Sequence, residues 1–120
     1  MARDLVRTAC ITWGLTEEMT DTAALVIVEL LSNAVRHAWG PSVRITVDRP
    51  SDKRVRLAVV DRAPDRLPHL HIPQDEEQSG RGLVLIEALS ERWGYDRLGP
   101  AARPWGKSCW AELSVKQGDP

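Results

Sequence analysis

Three polar residues stand at intervals of four within the otherwise apolar stretch VELLSNAVRHA, residues 28–38: Glu29, Asn33 and His37. A helix with 3.6 residues per turn places such positions on one stripe of its surface. An asparagine amide oxygen is a hard ligand suited to Mg²⁺, and a neighbouring carboxylate could act as a general base. Since apolar residues cover the other directions, the helix is expected to be buried, and its polar stripe to face a site.

Two further features could join that site. Asp61 ends the apolar run VRLAVV, where a short acidic side chain can point out of a sheet into a crevice. Residues 80–83, Gly-Arg-Gly-Leu, lie at a predicted junction between a loop and a helix. Free backbone N–H groups and the helix dipole at such a junction favour phosphate.

Each feature also has an ordinary structural explanation. The polar stripe could be the solvated edge of a helix, and His37 could interact with the dipole at a helix C-terminus. Asp61 could be a turn residue, and Gly-Arg-Gly could simply begin a helix tightly. Ser108 could be any strand serine. The order of these features along one short chain favours a shared site.

The apolar spacing predicts the elements that hold these residues. Residues 3–13 have a helical period, and Gly14 ends that helix. Thr16 is a suitable N-cap for a second, long helix, which is expected to continue to Gly40-Pro41 and to carry the polar stripe in its second half.

The period then changes to two. Residues 43–47 and 55–59 alternate apolar with other side chains around a short Pro/Ser/Asp turn, which predicts an antiparallel hairpin ending at Asp61. Residues 62–79 form a predicted loop, of a length usually associated with function or disorder. A helix is predicted over residues 83–93.

A short strand over 93–95, a Gly/Pro-rich loop over 96–106 and a last strand over 107–115 complete the prediction. The order ααββ–loop–αββ predicts an α+β two-layer sandwich. Its sheet is expected to be mixed but mostly antiparallel, with helices on one face.

The composition indicates a single globular domain over residues 1–120, with 42% hydrophobic and 28% charged residues. A net charge of -1 gives no reason to expect direct binding to nucleic acid or to a membrane. Cys10 and Cys109 form no metal or disulfide pattern, which favours a reduced interior. With no signal peptide or bilayer-length apolar run, a cytoplasmic protein is expected.

The stretch ELLSNAVRHA resembles the N box of the Bergerat-fold ATPases, the superfamily of DNA gyrase, the bacterial histidine kinases and the gyrase-like heat-shock chaperones. With VVD, SGRGL and GKSCWAEL, nearly the whole chain is similar to the anti-sigma-factor serine/threonine kinases. The N box is highly specific, SGRGL is less so, and the other motifs are weak alone.

The resemblance implies a role for each matching position. Asn33 would hold Mg²⁺ against the phosphates of ATP, and Glu29 would deprotonate the attacking hydroxyl group. Asp61 would accept the exocyclic amino group of adenine. Among the other implied nucleotide ligands, Arg36 and His37 would lie beside the phosphates or ribose. A lid over the triphosphate would contain Gly80, Arg81, Gly82 and Leu83. Ser108, preceded by Lys107, would replace the family's usual Thr, whose hydroxyl joins a water network between Asp61 and adenine.

The segment after Asp61 departs from the family's pattern. DRAPDRLP has Ala63, and Asp65 or Arg66, where glycines would be expected. A Cβ resists positive φ, so Ala63 would tighten or turn the wall against adenine. This departure bears on ATP affinity more than on the fold.

The resemblance implies an ATP- and Mg²⁺-dependent protein serine/threonine kinase that is also an anti-sigma factor. It would sequester a sigma factor and phosphorylate an antagonist protein, thereby regulating transcription. The alternative is a nucleotide-dependent binding module with weak or no kinase activity, which Ala63 favours and Glu29 opposes. A third hypothesis, the detached ATP domain of a histidine kinase, is disfavoured because the chain has no room for a phosphoacceptor helix pair. A homodimer is left open.

Overall fold

The computed structural model describes residues 1–37, 43–62, 64 and 78–115, with the backbone alone for 35–37 and 78–83. The elements, in chain order, are α1 (Ala2–Thr12), α2 (Glu17–His37), β1 (Arg44–Ser51), β2 (Arg54–Asp61), α3 (Gln78–Leu89), β3 (Arg92–Leu98) and β4 (Gly106–Ser114). No helix within these ranges combines the length and the apolar character needed to cross a membrane.

Local residues explain the end of α1 and the start of α2. Gly14 takes a φ of 75° just after α1, a conformation that glycine adopts without strain. The Thr16 hydroxyl accepts a hydrogen bond from the backbone N–H of Met19 at 3.1 Å and so caps α2, as predicted. The helix is described as far as His37, and the expected stop at Gly40-Pro41 lies outside the described residues.

The four strands form one sheet in the order β1-β2-β4-β3, and each described pair of neighbours is antiparallel. The predicted hairpin is confirmed, with Ile45 opposite Val59. The strands β2 and β3 run in the same direction but are separated by β4, so the connection through α3 crosses over β4. The predicted two-layer, mostly antiparallel fold is therefore confirmed.

The prediction of a helix over 83–93 is wrong at both ends. The helix α3 begins at Gln78 and ends at Leu89, and the N–H of Ser90 closes its last turn on the carbonyl of Ile86. Trp93 continues the helical spacing, but it lies in β3 opposite Ala111. That strand extends to Leu98, so residues 96–98 of the predicted 96–106 loop are also strand, and Gly106 already belongs to β4. Pairing with β4 makes residues 92–98 a strand, and the local apolar period does not indicate this pairing.

The core lies between one face of the sheet and the helices. Alternate residues of the two central strands are buried there: Val55, Leu57 and Val59 of β2, and Cys109, Ala111 and Leu113 of β4. They join one cluster with side chains from α1, α2 and α3. Period-two alternation therefore assigns the odd-numbered residues of β2 and β4 to the helix side of the sheet.

The other face of the sheet carries a charged and aromatic cluster. Glu112 is only 5% exposed and accepts hydrogen bonds from Arg92 Nε at 2.7 Å and Arg56 Nη1 at 3.0 Å. The guanidinium of Arg56 also lies 4.4 Å from the centre of the Trp110 ring. The Arg92 hydrogen bond, more than any other interaction, lowers the pKa of Glu112. This face is thus held together by polar contacts, while the described helices pack with the core cluster on the other face.

Candidate functional site

The polar stripe of α2 is divided between the core and its edge. Asn33 is 6% exposed and continues the buried positions of the helix, while Glu29 is half-buried beside them. Arg36 and His37 lie in the last turn of α2, where only the backbone is described. The expectation that α2 is buried all round is wrong, since Leu25 is 41% exposed. The polar side chain of Asn33 is therefore buried although α2 has a solvent face.

The end of β2 holds a buried ion pair. Asp61, 1% exposed, lies directly opposite Lys107 of β4, also 1% exposed. The ammonium nitrogen Nζ of Lys107 donates to both carboxylate oxygens, at 2.9 Å to Oδ1 and 3.0 Å to Oδ2. Both residues fall on the helix side of the sheet by the alternation of their strands. The sequence indicated Asp61 as a site residue, but it did not indicate that Lys107 would pair with it.

Ser108 does not share this face. It pairs with Val60, so its side chain points to the opposite side of the sheet from Asp61. The expectation that its hydroxyl would serve Asp61 is therefore corrected: Lys107 occupies the position opposite the carboxylate. A resemblance of motifs aligned the serine with the usual Thr, but only the strand register determines which residue faces Asp61.

Gly106 is a site residue that sequence reasoning missed. A Cβ built on it would lie 2.4 Å from the carbonyl oxygen of Asp61, closer than real side chains approach. A glycine here lets β4 pass close to the end of β2 and brings the next residue, Lys107, opposite Asp61. A glycine immediately before a predicted strand was the available signal.

Asn33 and Asp61 lie at the same end of the protein. At the other end, Thr16 before α2 and Ser114 of β4 line one cavity, and Ser114 pairs with Arg54 at the start of β2. A helix rises about 1.5 Å per residue, so Asn33 lies about 25 Å along α2 from Thr16. A strand rises about 3.4 Å per residue, so Asp61 lies about 24 Å along β2 from Arg54. Since α2 packs against β2, the two polar residues are at the same level.

The helix α3 runs back from this end. Its last residue, Leu89, lines the cavity at the far end, and Gln78 lies about 16 Å away along the helix axis. Gly80, Arg81, Gly82 and Leu83 are part of the helix, in its first turns. The expected loop-to-helix junction is therefore displaced by two residues to Gln78. Ala63 lies outside the described residues.

The residues next to the ion pair on this face of the sheet have apolar, uncharged side chains. Cys109 lies two positions after Lys107 on the same face, opposite Val59. Burial raises the pKa of the Cys109 thiol to about 11, against a smaller lowering influence of Lys107. Burial is also the main cause that raises the pKa of Cys10 in the core. Both thiols are therefore protonated at neutral pH, and neither is a reactive nucleophile.

No cluster of three His, Cys, Asp or Glu side chains that could bind a metal is found in the described part of the chain. That set does not include amide ligands. Mg²⁺ commonly takes one or two protein ligands and completes its shell with water and substrate phosphates. Buried Asn33 with half-buried Glu29 beside it fits such a mode of binding.

The sequence of residues 1–104 matches the family described as the histidine-kinase-like ATPase domain. The match covers all three helices and the first three strands and ends just before β4. The chain belongs to this family. The predicted histidine-kinase-like ATPase fold is thereby confirmed, and α2 with its Asn33 is part of the matched region. No curated protein matches the chain significantly.

Solved histidine kinases contain a domain with the same fold as this ATPase domain. Full-length ShkA in complex with AMPPNP is similar with a TM-score of 0.57 and 21% identity, over 82% of this chain and 22% of ShkA. The mycobacterial sensor histidine kinase MprB gives a TM-score of 0.56 and 17% identity, over 81% of this chain and 74% of that one. These identities show the fold alone. This ATPase domain thus spans about a fifth of the ShkA chain.

Proposed function

We propose that this chain is an ATP- and Mg²⁺-dependent protein serine/threonine kinase that also acts as an anti-sigma factor. The observation that carries the proposal is the presence of buried Asn33 and buried Asp61 at one end of a histidine-kinase-like ATPase domain. The complex of the structural neighbour ShkA with AMPPNP, an ATP analogue, supports a nucleotide as the ligand. The serine/threonine specificity rests on the resemblance of the motifs.

The residues divide the work of phosphoryl transfer. Asp61 would accept a hydrogen bond from the amino group of adenine. Asn33 would hold Mg²⁺, whose positive charge would offset the negative charge of the phosphates. Glu29 takes the proton of the substrate hydroxyl group. The oxygen of that hydroxyl group forms a bond to the γ-phosphorus. The bond from that phosphorus to the β–γ bridging oxygen breaks, and ADP leaves. The remaining phosphate ligands are Arg36, His37, Gly80, Arg81, Gly82 and Leu83.

The proposed partners are a sigma factor, which the chain sequesters, and an antagonist protein, which it phosphorylates in the cytoplasm. Phosphate on the antagonist would change its affinity for the kinase through added charge. Leu25 on α2 is 41% exposed and offers an apolar contact for a partner protein. The support for these partners is the similarity of ELLSNAVRHA and SGRGL to the anti-sigma-factor kinases.

A second function is a nucleotide-dependent switch without kinase activity. Ala63, in place of an expected glycine, favours it, because a tighter wall against adenine would weaken ATP binding. Half-buried Glu29 favours the kinase, because a switch has no need of a general base.

Radiolabelled ATP distinguishes the two functions. We expect label from the γ-phosphate to appear on a candidate antagonist protein mixed with this chain and Mg²⁺. Glu29→Ala should bind ATP nearly normally and transfer about a hundredfold more slowly. Ser32→Ala, an exposed position on the same helix, is the matched control. ATP binding without labelling would support the switch, and equal transfer by Glu29→Ala would remove the assigned base.

A further inference from the structure

The ion pair of Asp61 and Lys107 is placed by the geometry of the sheet. The two residues are directly paired across β2 and β4. Gly106 has no side chain to hold the strands apart at this point, since a Cβ there would meet the Asp61 carbonyl oxygen at 2.4 Å. Lys107 therefore reaches the carboxylate from the adjacent strand with both hydrogen bonds at ordinary lengths.

A buried ion pair is a weak source of stability. Removing both charges from water costs free energy that their attraction only partly returns, and apolar residues of similar volume often do as well. The preceding positions on this face show that alternative, with Val59 opposite Cys109 and Leu57 opposite Ala111. The charges appear only where β2 ends, at the level of Asn33. Stability alone does not account for them.

We infer that Lys107 is a positioning residue that sets the selectivity of the site for the amino group of adenine. Its ammonium group donates to both oxygens and so holds the Asp61 carboxylate in one orientation. This inference rests on the proposed function, since it requires that a purine nucleotide bind here. The carboxylate accepts one hydrogen bond from Lys107 through each oxygen. A carboxylate oxygen can accept from more than one donor, so these contacts are compatible with an amino donor.

A positioning role differs from a merely structural one in what it does to base selectivity. A structural lysine would lower the affinity for every nucleotide alike when it is replaced. A positioning lysine would lower only the part of the affinity that depends on the amino group. Purine riboside triphosphate, which has hydrogen in place of that amino group, separates the two cases.

The experiment compares the affinity of ATP with that of purine riboside triphosphate by calorimetry in Mg²⁺. We expect the wild-type chain to prefer ATP by at least about tenfold, since hydrogen bonds to a charged acceptor are among the stronger ones. Lys107→Met should reduce this preference to within about twofold. Lys53→Met, the same change at an exposed lysine in the β1–β2 turn, should leave it unchanged.

Each other outcome has a defined meaning. Equal loss of both affinities in Lys107→Met, with the preference retained, would overturn the inference. Equal binding of the two nucleotides by the wild type would overturn it as well. Binding of neither nucleotide by the wild type would instead reject the proposed function. If Lys107→Met does not fold, Lys107→Gln keeps a hydrogen-bond donor without the charge, and a full preference for ATP in that variant would again contradict the inference.

Discussion

Asp61→Asn removes the negative charge that faces Lys107 inside the protein while keeping nearly the same shape. Both side chains are at most 1% exposed, so water cannot take the place of the carboxylate beside the ammonium group. Breaking a buried pair from one side costs about 3–5 kcal/mol, because the remaining charge loses its counter-charge where water does not reach it. For a domain of this size that loss corresponds to a fall in Tm of about 10 °C or more. It is a large part of a typical stability of about 5–15 kcal/mol.

Urea unfolding followed by circular dichroism measures this loss. Asp96→Asn makes the same chemical change at an exposed position of β3 and should stay within about 0.5 kcal/mol of the wild type. The double variant Asp61→Asn with Lys107→Met removes both charges of the pair and should recover much of the stability. A loss in the free energy of unfolding below about 1 kcal/mol in Asp61→Asn would contradict this prediction, because so small a loss is typical of a pair exposed to water.

Three further predictions concern other parts of the structure. The hydrogen bond from Arg92 lowers the pKa of Glu112 below its ordinary 4.5, so its contribution to stability is present above pH 4.5 and is lost as the pH falls through the lowered pKa. The stability deficit of Glu112→Gln should therefore be larger at pH 7 than at pH 3 in urea titrations, and equal deficits would contradict this. Cys109 and Cys10, buried with raised pKa values, should react with a thiol reagent at pH 8 only after urea is added; rapid reaction of the native protein would show that they are accessible. Gly106→Ala should lower the Tm by several degrees, since its Cβ would meet backbone at 2.4 Å, and an unchanged Tm would mean that the strands separate easily.

Asp61 also bears on base selectivity. The Asn side chain presents either an acceptor or a donor to the amino group of adenine, in place of a charged acceptor. ATP binding by Asp61→Asn should weaken by about 1–3 kcal/mol, and its preference over GTP should fall. Competition titrations with the two nucleotides measure both effects. Equal binding of ATP and GTP by the wild type would contradict the proposed adenine contact.

Local patterns predicted those elements whose apolar period matches their final environment. The β1–β2 hairpin and the Thr16 cap were identified because alternation and capping act over a few residues. The strand β3 was predicted too short, over 93–95 in place of Arg92–Leu98, because it is an edge strand with three charged residues and only Trp93 packed on the core. Its pairing with β4 is a tertiary contact that no local pattern contains.

The candidate site was predictable residue by residue but not in its contacts. Asn33 and Asp61 were selected from residue type and position, and both are buried at one end of the domain. The pairing of Lys107 with Asp61, and the placement of Ser108 on the other face, follow from the register of β4 against β2. That register is set by strands far apart in the sequence and by the close approach at Gly106, so it required the structure.

The proposed kinase depends on Asn33 as the Mg²⁺ ligand of its ATP site. Isothermal titration of ATP into the wild type, Asn33→Ala and Ser32→Ala, each with Mg²⁺ and with EDTA, measures this role. We predict that the wild type and Ser32→Ala bind ATP more tightly in Mg²⁺. Asn33→Ala should keep its circular dichroism spectrum and lose more than about tenfold in affinity, about 1.4 kcal/mol, in Mg²⁺ alone. Unchanged affinity of Asn33→Ala in Mg²⁺ would contradict the account.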